Sequence, residues 1–231
     1  MGLFDLFKKK TPAEEPPTTE TSSHGWDAIT AAFEAVYPGQ TDPPHRAPEV
    51  ARMHDLSENA AAFDGVSAYD AGEFWHLVTY GLTELYGKES DDLVASGFGY
   101  ELTFRIPKLS PQPPLWAFEV LEAIGSRIWA GMVLGPGHAI QTGPLDGQPT
   151  TSETGIVLVP DPALPRALST PNGSVEFLLM VGVPEELRQQ VLQDSEGADS
   201  QGEMADRALA RVKDAKPNYV TPISHLGHFG P

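Results

Sequence analysis

The groups in this sequence that could do chemistry are its histidines, carboxylates, arginines and serines, and their spacing sorts them. His225 and His228 have ligand-like spacing, but only one carboxylate, Asp214, lies within fifteen residues. A zinc site needs four protein ligands, or three and a water, so no metal is expected there. His76 sits beside Trp75 in an aromatic, β-branched run. It reads as a core or sheet-face histidine satisfied by one hydrogen bond. Glu101 and Arg105 fall two pleats apart on one strand face, where they make either a polar pair or the mark of a ligand groove. A pocket gathering His76, Glu101 and Arg105 is the form that an enzyme of unrecognised type would take, and it is kept as the alternative reading. No G-x-S-x-G elbow is present, and Ser67, Ser96 and Ser126 have no distinguishing context. Gly97-Phe98-Gly99 precedes a strand instead of following one into a helix, so it fails as a dinucleotide-binding turn and reads as a bend or bulge. There is no Walker loop and no HExxH. Catalysis is not expected, and no cofactor.

The remaining chemistry is charge. Thirty-two acids against fifteen bases give the 231 residues a formal charge of −17. This disfavours nucleic acid, whose phosphates are neutralised by Lys and Arg. It favours steering toward a basic partner. Between Glu185 and Asp206 stand seven acids and one arginine, a stretch that is either a docking face for a basic protein or a solvated helix and loop. The chain has no cysteine, which excludes disulfides, thiolate metal sites and cysteine nucleophiles. No run of 18 apolar residues exists to span a membrane.

The elements that must position these groups follow from hydrophobic periodicity. Residues 1–10 read apolar then basic, the reverse of a secretory signal. Their four apolar side chains and three lysines give too weak a foot for stable membrane contact. Residues 11–23 carry three prolines and no large apolar side chain, and read as a stiffened, disordered linker. Trp26, Ile29, Phe33, Val36 and Tyr37 recur at helical spacing until Pro38-Gly39. A short helix is predicted over residues 50–62, and Asp64-Gly65 reads as a turn. Residues 74–85 and 98–106 read as strands. In the second, Phe98, Tyr100, Leu102, Phe104 and Ile106 share one face, and Glu101, Thr103 and Arg105 the other, which is expected to be wetter. The strongest helix covers residues 115–132. Residues 156–159 and 175–183 are unbroken apolar runs, as central strands buried on both faces should be. A helix over residues 184–192 and another over 204–212 complete the core, followed by an irregular tail.

Five segments resemble the suppressor of fused family: GWDAI at 25–29 with YPGQ at 37–40, HLVTYGLTELYG at 76–87, SGFGYELTFRI at 96–106, PLDG at 144–147, and TPNGSVEFLLMVGVPEEL at 170–187. The resemblance covers roughly residues 25–192, with SGFGYELTFR its most specific part. It implies a mixed sheet flanked by helices and a binding module without catalysis. Animal members sequester transcription factors by clamping an extended peptide as an added strand between two lobes. This chain has room for one lobe, as in the bacterial-type relatives, some of which are proposed as immunity proteins against toxins.

The expectation is therefore one cytoplasmic α+β domain with a mixed sheet flanked by helices. It occupies residues 25–212, between a flexible segment at 1–24 and an irregular tail at 213–231. It should bind a protein partner, such as a basic toxin or effector, and neither nucleic acid nor membrane. The strands at 75–85 and 98–106 and the acid-rich helix supply the expected contact residues: Trp75, Tyr80, Tyr100, Glu101, Arg105, Glu185 and Glu186. Aromatics and arginine are favoured at interfaces.

Overall fold

Alternating apolar residues build the sheet from its centre outward. The computed structural model describes residues 23–48, 64–216 and 218–222. Among these residues eight strands form one sheet in the order β1 (His45–Arg46), β2 (Gly65–Asp70), β3 (Phe74–Tyr80), β4 (Ala95–Pro107), β8 (Gly173–Val183), β6 (Gly155–Pro160), β5 (Ala139–Gln141), with β7 (Leu168–Thr170) hairpinned onto β8. All neighbours pair antiparallel except β4 and β8, which run parallel through the middle. Helix α1 (His24–Val36), α2 (Leu115–Trp129), α3 (Glu185–Ser195) and α4 (Gln201–Ala215) cover both faces. The architecture is α+β, a mixed sheet between helices.

The two faces of the sheet bury different sets. Leu77, Leu102, Phe104, Ile106, Leu158 and Met180 pack under α2 through Phe118, Leu121 and Ile124. On the opposite face, Val157, Leu179 and Val181 meet α3 and α4. Tyr69, Val78, Tyr80 and Phe177 meet Ile29 and Phe33 of α1 on that same face. Strand β6 is buried along its whole length, in keeping with its unbroken apolar run. Helix α4 begins at Ser200, whose hydroxyl accepts the Glu203 amide, while the Glu203 carboxylate accepts the Asp199 amide. This reciprocal cap starts the helix three residues earlier than apolar periodicity suggested.

Several expectations need correction. The strand predicted over residues 74–85 stops at Tyr80, because Gly81 takes a positive φ of 112° and the chain turns. Asp64-Gly65 is the entrance to β2 and not a turn, and hydrophobic periodicity marks neither β2 nor β5. The face of β4 carrying Glu101, Thr103 and Arg105 is dry, because α1 and the segment after α4 cover it. Gly97 and Gly99, with φ of 54° and 83°, do form an irregularity, and the β4–β8 register shifts between Ala95 and Tyr100. A Cβ on Gly97 would lie 2.7 Å from the Leu82 carbonyl oxygen, so glycine is required there on both counts. The helix expected over residues 50–62, the segment before Ser23, and His225 and His228 lie outside the described residues.

Beyond the Phe104–Met180 pair, β4 and β8 are joined by a splint from the chain after α4. The Thr221 amide donates to the Arg105 carbonyl at 2.8 Å, and its hydroxyl accepts the Gly182 amide at 2.8 Å. Tyr219 beside it is buried despite a left-handed φ of 55°. The isosteric change Thr221→Val strands the buried Gly182 N–H, and should lower unfolding stability by about 1–3 kcal/mol in urea titrations. An unchanged midpoint would show that the splint is incidental to the sheet.

Candidate functional site

The densest polar constellation lies in the dry face of β3 and β4. The register sets His76 opposite Arg105, and both reach Asp161 at the end of β6. Asp161 Oδ2 meets His76 Nε2 at 2.8 Å and accepts the Thr103 hydroxyl at 2.7 Å. Its Oδ1 accepts Arg105 at 2.5 Å and the Ala163 amide at 2.9 Å. Tyr37 Oη lies 2.8 Å from His76 Nδ1. Burial works against charge on Asp161, yet the imidazole, guanidinium and hydroxyl donors hold its carboxyl well below the ordinary carboxylate range. Burial pushes His76 down, and the carboxylate offsets this only in part. The imidazole is therefore neutral at pH 7. It gives its Nε2–H to Asp161 and accepts the Tyr37 hydroxyl at Nδ1. His76 thus makes two side-chain hydrogen bonds where one was expected.

Glu101 stands apart from that group, four residues or about 13 Å along the strand from Arg105. Its carboxylate accepts the hydroxyls of Thr79 (2.5 Å) and Thr83 (2.7 Å) and the amides of Gly81 (3.1 Å) and Thr83 (2.9 Å). It is the anchor of the turn that ends β3. Burial still outweighs these donors and raises its pKa to about 7. The three residues of the alternative reading are thus not gathered into one pocket. His76 and Glu101 are 0% exposed and Arg105 6%, and their partners are groups of the protein itself.

The expected contact residues divide by location. Trp75, Tyr80, Glu101 and Arg105 are buried, so they support the sheet and offer no surface to a partner. Their aromatic and β-branched neighbourhood served packing, which leaves the same composition as an interface. Tyr80 stacks obliquely on Trp26 with ring centroids 4.3 Å apart, and Lys108 lies over the Trp75 ring. Tyr100 is half-buried on the α2 side. Glu186 is exposed, and Glu185 clasps Arg188 through both carboxylate oxygens at 2.7 and 2.6 Å. These hydrogen bonds hold the Glu185 carboxyl down at about 2. Farther along, Arg211 and Arg207 answer Asp194 and Glu203, so cations from α4 partly neutralise the acid-rich stretch.

Where backbone is open is a separate matter. Among the described residues, strand β5 has one strand neighbour, β6, and its other side is open. Its ladder runs through His138, whose carbonyl accepts the Leu158 amide, and Thr142, whose amide donates to Thr154. Alternation then turns the peptide groups of Ala139 and Gln141 away from β6. The side-chain stem of Arg188 lies over Gly155, the register partner of Gln141, where a Cβ would be 2.7 Å from Arg188 Cδ. The acidic start of α3 therefore borders the open edge. The other edge, β1, is two residues long with prolines at 43, 44 and 48 around it.

Among the described residues no group of three or more His, Asp or Glu could hold a metal ion. No described helix is long and apolar enough to cross a membrane. Sequence reasoning missed Asp161, the hub of the polar network, and the β5 edge. Asp161 sits between two prolines after a strand, with no motif to mark it.

Comparison with known proteins adds a second line. The model of the family described as "Suppressor of fused protein (SUFU)" matches residues 60–215. The suppressor of fused homologs of Homo sapiens and Mus musculus are each 32% identical over 123 residues, covering 48% of this chain and 24% of the relative. The chain thus spans about a quarter of the length of the curated relatives it matches. A chain in a crystal structure of a Sufu–Fu complex superposes with a TM-score of 0.64 at 25% identity, covering 88% of this chain and 91% of that one. Drosophila Suppressor of Fused superposes at 0.62 and 24% identity, over 84% and 55%.

Proposed function

Because the chain belongs to the suppressor of fused family, we propose that it is a cytoplasmic protein-binding module, without catalysis or a required cofactor, that takes an extended partner segment as an added strand on β5. The observation that carries this reading is the open β5 edge beside the acidic head of α3. Main-chain hydrogen bonds at such an edge supply affinity for an extended peptide, and flanking side chains supply selectivity. One structural relative comes from a complex of Sufu with Fu, which supports a protein as the ligand class. The formal charge of −17 favours a basic partner, whose approach it would accelerate. A basic toxin or effector, neutralised as by the single-lobe, bacterial-type immunity proteins, fits that chemistry. Of the contact residues expected from sequence, Glu185 is tied to this edge through Arg188, and the exposed Glu186 follows it in the first turn of α3.

The test is affinity capture from native lysate at low and moderate salt, with wild type and Gln141→Pro side by side. Proline at 141 removes an outward N–H and blocks an added strand, and leaves the inward ladder through residues 138, 140 and 142 intact. One stoichiometric basic partner should be captured by wild type, be shed as salt rises, and bind Gln141→Pro at least about tenfold more weakly. A partner that stays bound to Gln141→Pro would overturn the edge as its site.

A further inference from the structure

A second surface stands where the described chain begins. The Gly25 and Trp26 amides both point at the Leu85 carbonyl oxygen, at 2.9 and 3.3 Å. A Cβ on Gly25 would lie 2.3 Å from the Glu84 carbonyl oxygen. The described chain therefore begins against the base of the loop formed by residues 84–95. That loop is tightly tied. The Glu84 carboxylate accepts the amides of Glu89 (2.7 Å), Ser90 (2.5 Å) and Gly97 (3.2 Å). Lys88 Nζ reaches Glu84, Ser90 and the Ala95 carbonyl at 2.8, 2.9 and 2.6 Å. From across the sheet, the Asn172 side-chain amide donates to the Glu84 carbonyl at 2.7 Å.

On this fixed frame the outward side chains are apolar and acidic. Leu93 is 84% exposed, Val94 79% and Tyr86 43%. Glu89, Asp91 and Asp92 are exposed around them. The loop's single cation, Lys88, is occupied by its own backbone and Glu84. Holding two neighbouring aliphatic side chains in water on a rigid loop suggests a surface meant to be covered.

We infer that residues 3–10 of the same chain cover it, with Leu3, Phe4, Leu6 and Phe7 on the apolar side chains of the 86–94 loop and Lys8–Lys10 against its acids. Three observations select this occupant. Its composition, four apolar residues followed by three lysines, complements a surface that is apolar within an acidic rim. Its point of attachment is the loop's own base. Its tether of twelve residues, 11–22, is long enough: such a chain spans about 20 Å as a coil and about 37 Å in the polyproline form. A tether of that length gives an effective concentration on the order of millimolar, so a contact too weak to form between separate molecules is populated within one. The loop thereby selects a class of ligand, a short apolar run closed by lysines, and a partner carrying such a segment would compete for it.

The absence of cysteine lets one label be placed without ambiguity. In the full chain, Gly2→Cys carrying a nitroxide should selectively broaden the amide resonances of residues 86–94. Leu93→Ser/Val94→Ser, at positions too exposed to disturb folding, should weaken docking about tenfold and remove the broadening. Changing Lys8, Lys9 and Lys10 together to Glu should do the same, and raised salt should reduce the effect. Three results would overturn the proposal. One is no broadening of the loop. Another is broadening that arises only between labelled and unlabelled copies, which assigns the surface to a second molecule. The third is sedimentation with anionic vesicles that depends on residues 3–10 but is unchanged by Leu93→Ser/Val94→Ser.

Discussion

Asp161→Ala is expected to lower unfolding stability at pH 7 by about 3–5 kcal/mol, the usual cost of breaking a buried ionic group by removing one partner. The carboxylate is the shared acceptor of His76, Thr103, Arg105 and the Ala163 amide, and its side chain is 0% exposed. Without it Arg105 is left inside the fold as a charge whose remaining hydrogen-bond acceptor among the described residues is the Asn218 carbonyl at 3.5 Å, with the Phe74 ring 5.5 Å from Cζ and an Nε that already has no hydrogen-bond partner. Double replacement with Arg105→Met should recover much of the loss, because an apolar side chain of similar length no longer buries an unpaired charge. Urea titrations of the two single variants and the double variant measure this directly. A single-variant cost under about 1 kcal/mol, or no coupling, would show that the network is not one structural unit. The acid limb carries a second readout. His76 has a lowered pKa in the fold, so below about pH 6.5 the unfolded chain takes up a proton that the folded chain refuses. Asp161, depressed in the fold, adds a further loss as pH falls through the ordinary aspartate range. Wild-type stability should therefore fall toward acid. Much of the Asp161 share of that slope should be absent from Asp161→Ala.

What the sequence could and could not disclose divides along physical lines. Strong periodicity carried information about α1, α2 and the buried runs of β6 and β8, because each exposes or buries whole faces. The parity of β4 was also legible: Leu102, Phe104 and Ile106 do share one face, and Glu101, Thr103 and Arg105 the other. What parity cannot say is whether a polar face is wet. That depends on whether distant segments bring partners, and the ones that do here, Asp161, Thr79, Thr83 and the 218–222 splint, lie far away in the chain. The same limit turned Trp75, Tyr80 and Arg105 into expected contact residues, since aromatics and arginine are common to interfaces and to satisfied cores. Strand β5 escaped notice because three residues, two half-buried and one exposed, carry no period. Its importance comes from what does not pair with it, which is a property of the assembled sheet. The acid-rich stretch was visible as composition, but its neutralisation by Arg207 and Arg211 required the helix pair to form.

Glu101→Gln should be the other severe substitution, costing about 3–5 kcal/mol at pH 5, and its pH dependence is the more informative part. At pH 5 the wild-type group is a carboxylic acid whose hydroxyl oxygen still accepts a hydrogen bond; a glutamine keeps the carbonyl oxygen but puts an NH2, which accepts none, toward the surrounding donors. One or two buried donors then lose their acceptor, each at about 1–3 kcal/mol. Those donors belong to Thr79, Gly81 and Thr83, so the turn that ends β3 and leads into the 84–95 loop loosens with them. The direction of titration in wild type is set by burial, which raises the Glu101 pKa from 4.5 to about 7. Between those values the folded chain holds a proton that the unfolded chain has released, so stability falls as pH rises and levels off above about 7. A shift of that size corresponds to about 3 kcal/mol. The advantage of wild type over Glu101→Gln should therefore be largest near pH 4.5 and shrink toward pH 8, opposite in sign to the acid loss from His76 and Asp161. Because glutamine does not titrate, the difference between the two unfolding curves isolates Glu101 from those groups. An advantage that instead grew from pH 5 to pH 8 would mean that the hydroxyl and amide donors outweigh desolvation, and that the cradle is built for a carboxylate and not for a carboxylic acid.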